Sequence, residues 1–130
     1  MSGAGRPAWF SVVIPAHDEE DCIGPTCEAI AAAFAREGIE DYEVVVVNDG
    51  SRDRTAEIVD ALAVEMAPRI TVVRHATNLG YGAALRDGFR ATRGELVFYT
   101  DSDNQFDLRE LGQVVTVGQL ATFIEERLHA

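Results

Sequence analysis

The stretch YEVVVVNDGSRDRT, residues 42–55, decides how the rest of the chain folds. Four consecutive valines leave no alternation between a buried and a wet face. Residues 42–48 therefore read as a strand covered on both sides, as strands of a parallel sheet are. The polar run NDGSRDRT ends that strand abruptly, and Thr55 opens a segment with a different period. In residues 55–66 (TAEIVDALAVEM), Ile58, Val59, Leu62 and Met66 recur at helical spacing, and Pro68 closes the segment.

Working outward, the same alternation repeats. Short apolar runs at residues 10–15 (FSVVIP), 70–74 (ITVVR) and 96–100 (LVFYT) read as strands. Between them, residues 26–37 (TCEAIAAAFARE) are alanine-rich and stop at Gly38, and residues 81–92 carry an apolar stripe stopped by Gly94. The order βαβαβαβ predicts an α/β fold, a three-layer αβα sandwich around a mostly parallel sheet with right-handed crossovers. Residues 1–9 read as a tail and 10–113 as the folded domain. Residues 114–130 read as a C-terminal segment of helical character, with a short helix from Leu108 and a terminal amphipathic helix over 119–128.

Composition narrows the function. The chain has 130 residues with 11 basic and 22 acidic side chains, a net charge of 11 − 22 = −11. Every basic residue is arginine. Such an acidic chain is a poor nucleic-acid binder, because phosphate neutralisation needs clustered Lys and Arg. Anionic ligands then require a cation to accompany them. Cys22 and Cys27 form neither a metal-ligand pattern nor a disulfide framework and read as reduced thiols. No signal-like or membrane-spanning run is present in the sequence, which reads as cytoplasmic.

In open α/β sheets, ligands bind beyond the carboxyl ends of the strands. Polar clusters stand at those ends: PAHDEED (15–21), NDGSRDRT (48–55), NLGYGAA (78–84) and TDSDNQFD (100–107). Each alone has the composition of an ordinary turn; four at one sheet edge form a candidate crevice. Asp101 and Asp103 place two carboxylates within one bend, a donor set suited to Mg²⁺ or Mn²⁺ with a diphosphate completing the shell. Asn48 and Asp49 suit a base or ribose edge, while Ser51 and Asp53 organise the turn or cap the helix after it. Gly80 and Gly82 allow backbone to approach a ligand phosphate or a neighbouring loop, but the spacing is not G-x-G-x-x-G, which disfavours an NAD dehydrogenase. His17 reads as a contact or packing residue, His75 and His129 as solvated. Arg86 and Arg90 read as surface residues, with Arg86 within possible reach of a phosphate.

Taken together, SVVIPAHDEE, VVVVNDGSRDRTAEIV, NLGYGAALRDGF and YTDSDNQFD resemble the family 2 glycosyltransferases of GT-A fold. The likeness is strongest to the dolichol-phosphate mannose synthase and polyprenyl-phosphate sugar transferase type. The resemblance implies a Rossmann-like nucleotide-diphospho-sugar-binding half. In it Pro15, Ala16, His17, Glu19, Asn48, Asp49, Ser51, Gly80, Gly82 and Asp101 line the nucleotide, and Asp101 with Asp103 binds the metal. Asp18 stands where the family commonly has asparagine, and Asn48 where it has a first aspartate. The implied reaction is inverting transfer from a UDP- or GDP-sugar, with polyprenyl phosphate at the membrane surface as acceptor. The family's domain is usually nearly twice as long. The resemblance thus implies a chain truncated after the D-x-D, lacking the catalytic base: a donor-binding half or a non-catalytic module. Its unfinished sheet edge would invite a second copy or a partner chain.

Overall fold

The computed structural model describes residues 10–94, 96–100 and 115–116. Seven elements follow the expected alternation: β1 (Phe10–Ala16), α1 (Ile23–Arg36), β2 (Tyr42–Asp49), α2 (Thr55–Glu65), β3 (Ile70–His75), α3 (Tyr81–Arg90) and β4 (Leu96–Tyr99). An eighth, β5 (Val115–Thr116), pairs antiparallel with β4, with Leu96 opposite Thr116. It lies inside the segment expected to be helical and adds a short antiparallel edge to an otherwise parallel sheet. The short helix from Leu108 and the terminal helix over 119–128 fall outside the described residues.

The sheet runs β3-β2-β1-β4-β5. The chain lays β2 and β3 successively to one side of β1, then crosses back to place β4 on the other side. That reversal creates a switch point between β1 and β4, the place where a crevice opens at the carboxyl edge of such sheets. Thr100, just past β4, donates its N–H to the Val13 carbonyl at 3.1 Å, which holds the end of β4 beside β1.

The valine run behaves as its pattern requires. Every residue of β2 is buried. Val44 and Val46 face α1 and α2 in a core with Val12, Ile14, Ile30, Phe34 and Leu62. Val45 and Val47 face α3 with Val13, Leu85 and Phe89. Each fully buried valine contributes about 1.5–3 kcal/mol of transfer free energy. Phe34 stacks on Tyr42, ring centroids 4.4 Å apart, and meets Phe10 at 5.6 Å.

Helix α1 begins three residues earlier than its alanine pattern suggested. Pro25 sits in the first turn, where a missing N–H costs nothing because no partner exists there. Its end follows expectation: Gly38 takes φ +69 and the Ile39 N–H returns to the Phe34 carbonyl at 2.9 Å. At the opposite end of the sheet, buried Glu43 accepts from the Ser11 hydroxyl at 2.7 Å and from the Arg93 N–H at 2.6 Å. Ser11 in turn accepts from the Gly94 N–H at 2.8 Å, which fastens the entry to β4 beside β1.

Helix α3 lies very close to the sheet at Gly88. A Cβ there would stand 2.5 Å from Val13 Cγ1 and 2.8 Å from Val47 Cγ2. Alanine would gain about 1 kcal/mol of helix propensity over glycine, but overpacking a rigid valine pair costs about 1–3 kcal/mol. Gly88→Ala is therefore expected to lower stability by about 1 kcal/mol despite its better propensity. Urea denaturation checks this; a raised midpoint would contradict the close approach.

Candidate functional site

The carboxyl edge is built by loops that satisfy one another. After β1, Asp18 adopts φ +53, a left-handed conformation that Asp and Asn tolerate better than other side chains. From there its Oδ1 accepts the Arg52 N–H at 2.7 Å, and its own N–H donates to Ser51 Oγ at 3.0 Å. Glu19 N–H donates to Thr55 Oγ1 at 2.9 Å, and Glu20 N–H to Asp53 Oδ2 at 3.2 Å. Within the turn, Asn48 Oδ1 accepts the Ser51 N–H at 3.1 Å, and Asp53 Oδ1 accepts the Thr55 N–H at 2.9 Å. The segments after β1 and β2 thus form one hydrogen-bonded unit.

Asp49 ties this unit to the loop after β3. Its Oδ1 lies 2.8 Å from His75 Nδ1 and accepts the Leu79 N–H at 2.8 Å. Its Oδ2 accepts the Gly80 N–H at 3.0 Å. Gly80 also donates to Asn78 Oδ1 at 2.9 Å and takes φ +102 at the start of α3. His17 Nδ1 lies 2.9 Å from the Asp49 backbone carbonyl, which only accepts, so this nitrogen carries the proton. Its Nε2 is 3.2 Å from the Asn78 amide nitrogen and 3.4 Å from Asp18 Oδ2. Gly50 completes the junction with φ +66; a Cβ there would lie 2.3 Å from both Asn78 N and Thr77 C, which is backbone and cannot yield.

His75 Nε2 reaches Asp87 Oδ2 of α3 at 2.8 Å, so one ring joins two carboxylates. Its side chain is 7% exposed, against the solvated position expected of it. The reason is register: His75 is the parallel partner of Asp49 in the β2–β3 ladder, which brings ring and carboxylate side by side. Arg86 and Arg90 both turn to Asp87, at 3.3 and 3.8 Å. Hydrogen bonding to Asp49 drives the His75 ring above its ordinary range, burial opposes this, and Asp87 adds to the rise. Burial alone would push Asp49 up, but the bonds from His75, Leu79 and Gly80 outweigh it and hold the carboxyl below the ordinary carboxylate range. Asp87 is likewise held down, burial being outweighed by His75 and Arg86. Burial, with Glu28 nearby, pushes the Cys27 thiol up to about 12, which makes it an inert core residue; Cys22 and Cys27 are both free.

The sequence expectation divided labour, with Asn48 and Asp49 toward a ligand and Ser51 and Asp53 in the turn. In the structure all four side chains bond to the turn and its neighbouring loops. Pro15, Ala16, His17, Glu19, Asn48, Asp49, Ser51, Gly80 and Gly82 all come to the same sheet edge. Asp101 and Asp103 lie outside the described residues. Among the described residues no group of three or more His, Cys, Asp or Glu is arranged to hold a metal ion. Sequence reasoning missed His75 and Asp87. The only signal for them was the register that sets His75 opposite Asp49.

A mostly parallel sheet covered by helices, with laced loops at its switch-point edge, defines an α/β protein of Rossmann-like architecture. The sequence matches glycosyl transferase family 2 over residues 11–117, and the chain belongs to that family. The match passes residue 113 and takes in β5. A dolichyl-phosphate beta-glucosyltransferase of Trichomonas vaginalis (ALG5C) is 33% identical over 132 residues, covering 93% of this chain and 39% of that protein. An undecaprenyl-phosphate 4-deoxy-4-formamido-L-arabinose transferase of Edwardsiella ictaluri is 36% identical over 115 residues, covering 88% of this chain and 35% of that protein. The chain thus spans little more than a third of the length of these relatives. Among solved structures, the mannosyltransferase PcManGT of Pyrobaculum calidifontis, in complex with GDP-Man and Mn²⁺, superposes with a TM-score of 0.65 at 29% identity, covering 76% of this chain and 28% of that one. The fold is GT-A.

Two outcomes test the edge. Gly50→Ala forces a β-carbon into the backbone of residues 77–78 and is expected to cost about 2 kcal/mol or more; a urea midpoint within error of the parent would overturn the close contact. Stability should also depend on pH in two limbs. His75, raised above 6.5, stabilises fully below that value and loses its contribution as pH climbs through its folded-state pKa. Asp49 and Asp87, lowered from 3.8, stabilise above that value and lose their contribution as pH falls through theirs. Maximal stability is expected between 3.8 and 6.5, with the alkaline limb absent in His75→Gln, read by urea midpoints across pH.

Proposed function

We propose that this chain carries the donor site of a metal-dependent, inverting glycosyltransferase that takes a sugar from a UDP- or GDP-sugar and gives it to a polyprenyl phosphate. The single observation that carries the reading is the convergence of the three family-matched loops on one switch-point edge, held by Asp18 and Asp49. Pro15, Ala16, His17 and Glu19 border the nucleotide on the β1 side, Asn48, Asp49 and Ser51 on the β2 side. Gly80 and Gly82 stand at the start of α3, the helix end whose dipole favours an anion. His17, between the Asp49 carbonyl and the Asn78 amide, keeps the β1 loop and Asn78 at one spacing.

Asp101 and Asp103 would hold Mg²⁺ or Mn²⁺, and carboxylate oxygens are the donors such hard cations take. When bound, the cation supplies charge neutralisation for the diphosphate of an acidic protein and for its departure. PcManGT, with GDP-Man and Mn²⁺, supports this pairing of nucleotide sugar and cation on the same fold. The polyprenyl-phosphate acceptor rests on the two relatives, whose names carry dolichyl and undecaprenyl phosphate. With such an acceptor the protein would work in the cytoplasm, peripheral to the membrane; among the described residues no helix is long and apolar enough to cross one.

Calorimetric titration with UDP and GDP, with and without Mn²⁺, tests the donor site. Binding is expected only with the cation, and Asp103→Ala should weaken it by about tenfold or more, at least the loss seen when a ligand's supporting contact is removed. Binding that ignores both the cation and Asp103→Ala would sink the reading. Transfer from a labelled nucleotide sugar to polyprenyl phosphate then separates turnover from donor binding alone.

A further inference from the structure

His75 lies outside the motifs that carry the family likeness, yet it joins β2 to α3 through contacts to Asp49 and Asp87. Both of its ring nitrogens stand 2.8 Å from carboxylate oxygens, Nδ1 from Asp49 and Nε2 from Asp87. A carboxylate only accepts, and a neutral imidazole has one N–H. Two good contacts therefore require both nitrogens to donate, and the ring is an imidazolium. With the side chain 7% exposed, water cannot readily take over a contact that the ring gives up.

We propose that His75 is a positioning residue for the donor site: bridging Asp49 and Asp87, its doubly protonated ring holds residues 78–82 where they receive the nucleotide diphosphate, so donor affinity falls when the ring loses its proton. The inference rests on the donor-site reading above. The path is short. Asp49 accepts from His75, Leu79 and Gly80 at once, so its orientation sets the backbone that opens α3. Deprotonation turns one lone pair of the ring against a carboxylate oxygen, and the Asp49 or the Asp87 contact must open. It also raises the trio from one negative charge to two, beside a ligand that is itself an anion. The charged groups around the ring are few. Asp49 comes from β2 and Asp87 from α3, with Arg86 and Arg90 beyond Asp87. Arg74, the preceding residue of β3, is paired with Asp60 of α2. His17 touches Asp49 only through its backbone carbonyl.

The test titrates the full chain from mildly acid to mildly alkaline pH. Nitrogen-detected NMR follows the His75 ring and the Leu79 and Gly80 amides, while calorimetry follows UDP and GDP with Mg²⁺. Affinity is expected to fall about tenfold through the ring's transition, the effect of losing one charge-assisted hydrogen bond, and the two amides should move with the same midpoint. In Asp87→Asn the new amide can donate to Nε2 of a neutral ring, so the bridge survives deprotonation and affinity should stay level. Asp87 is partly exposed, so this variant spares the core. The proposal is overturned if wild-type affinity is level through the transition, if the amides ignore it, or if Asp87→Asn falls at the wild-type midpoint, which would assign the effect to His17 or the nucleotide. No binding at any pH in the wild type would instead overturn the donor-site reading itself.

Discussion

A carboxylate at the end of a fully buried strand must be hydrogen-bonded or it will destabilise the fold. Asp49 meets that constraint with donors drawn from two other segments: the His75 ring from β3 and the Leu79 and Gly80 amides from the loop leading into α3. Its backbone carbonyl takes His17 from the β1 loop as well. The crevice edge is thus organised around one acidic side chain. The loops are held in place by satisfying it, while the valines beneath provide the hydrophobic free energy that keeps β2 in the sheet.

The strands were legible because their physics is local. VVVV admits no face exposed to water, and the sheet covers it with α1 and α2 on one side and α3 on the other. The helix stops at Gly38 and near Pro68 were legible for the same reason. Helix starts were less so: α1 reaches back to Ile23 because the sequence 22–25 needs no side-chain cap there, and Pro25 is tolerated in a first turn. β5 was not legible at all, since two residues carry no period.

The site was legible as a set of segments and illegible as a network. Motif order placed His17, Asn48, Asp49 and Gly80 at one edge, and they are there. What composition could not say is which polar atoms answer which. Asp18 reads as a substitution for asparagine, and its significance is conformational as much as chemical: a left-handed residue whose carboxylate reaches the Arg52 amide. His75 looked like a solvated residue at a strand end. Only the pairing of β3 with β2 reveals that Asp49 stands next to it, and pairing is a long-range property that no local pattern encodes.

The two ends of β2 bear on a different matter, the fidelity of folding. A run of four valines is nearly the same after a shift of one position, so its apolar contacts alone would accept several alignments with β1. Glu43 against Ser11 at one end and Asn48 with Asp49 at the other accept one. A slipped strand would strand Glu43 among apolar neighbours and carry Asp49 away from its donors, at a cost of several kcal/mol for each unpaired charge. The polar termini therefore act as a vernier on a featureless scale. They give the sheet a single alignment, and the ligand edge inherits its precision from it.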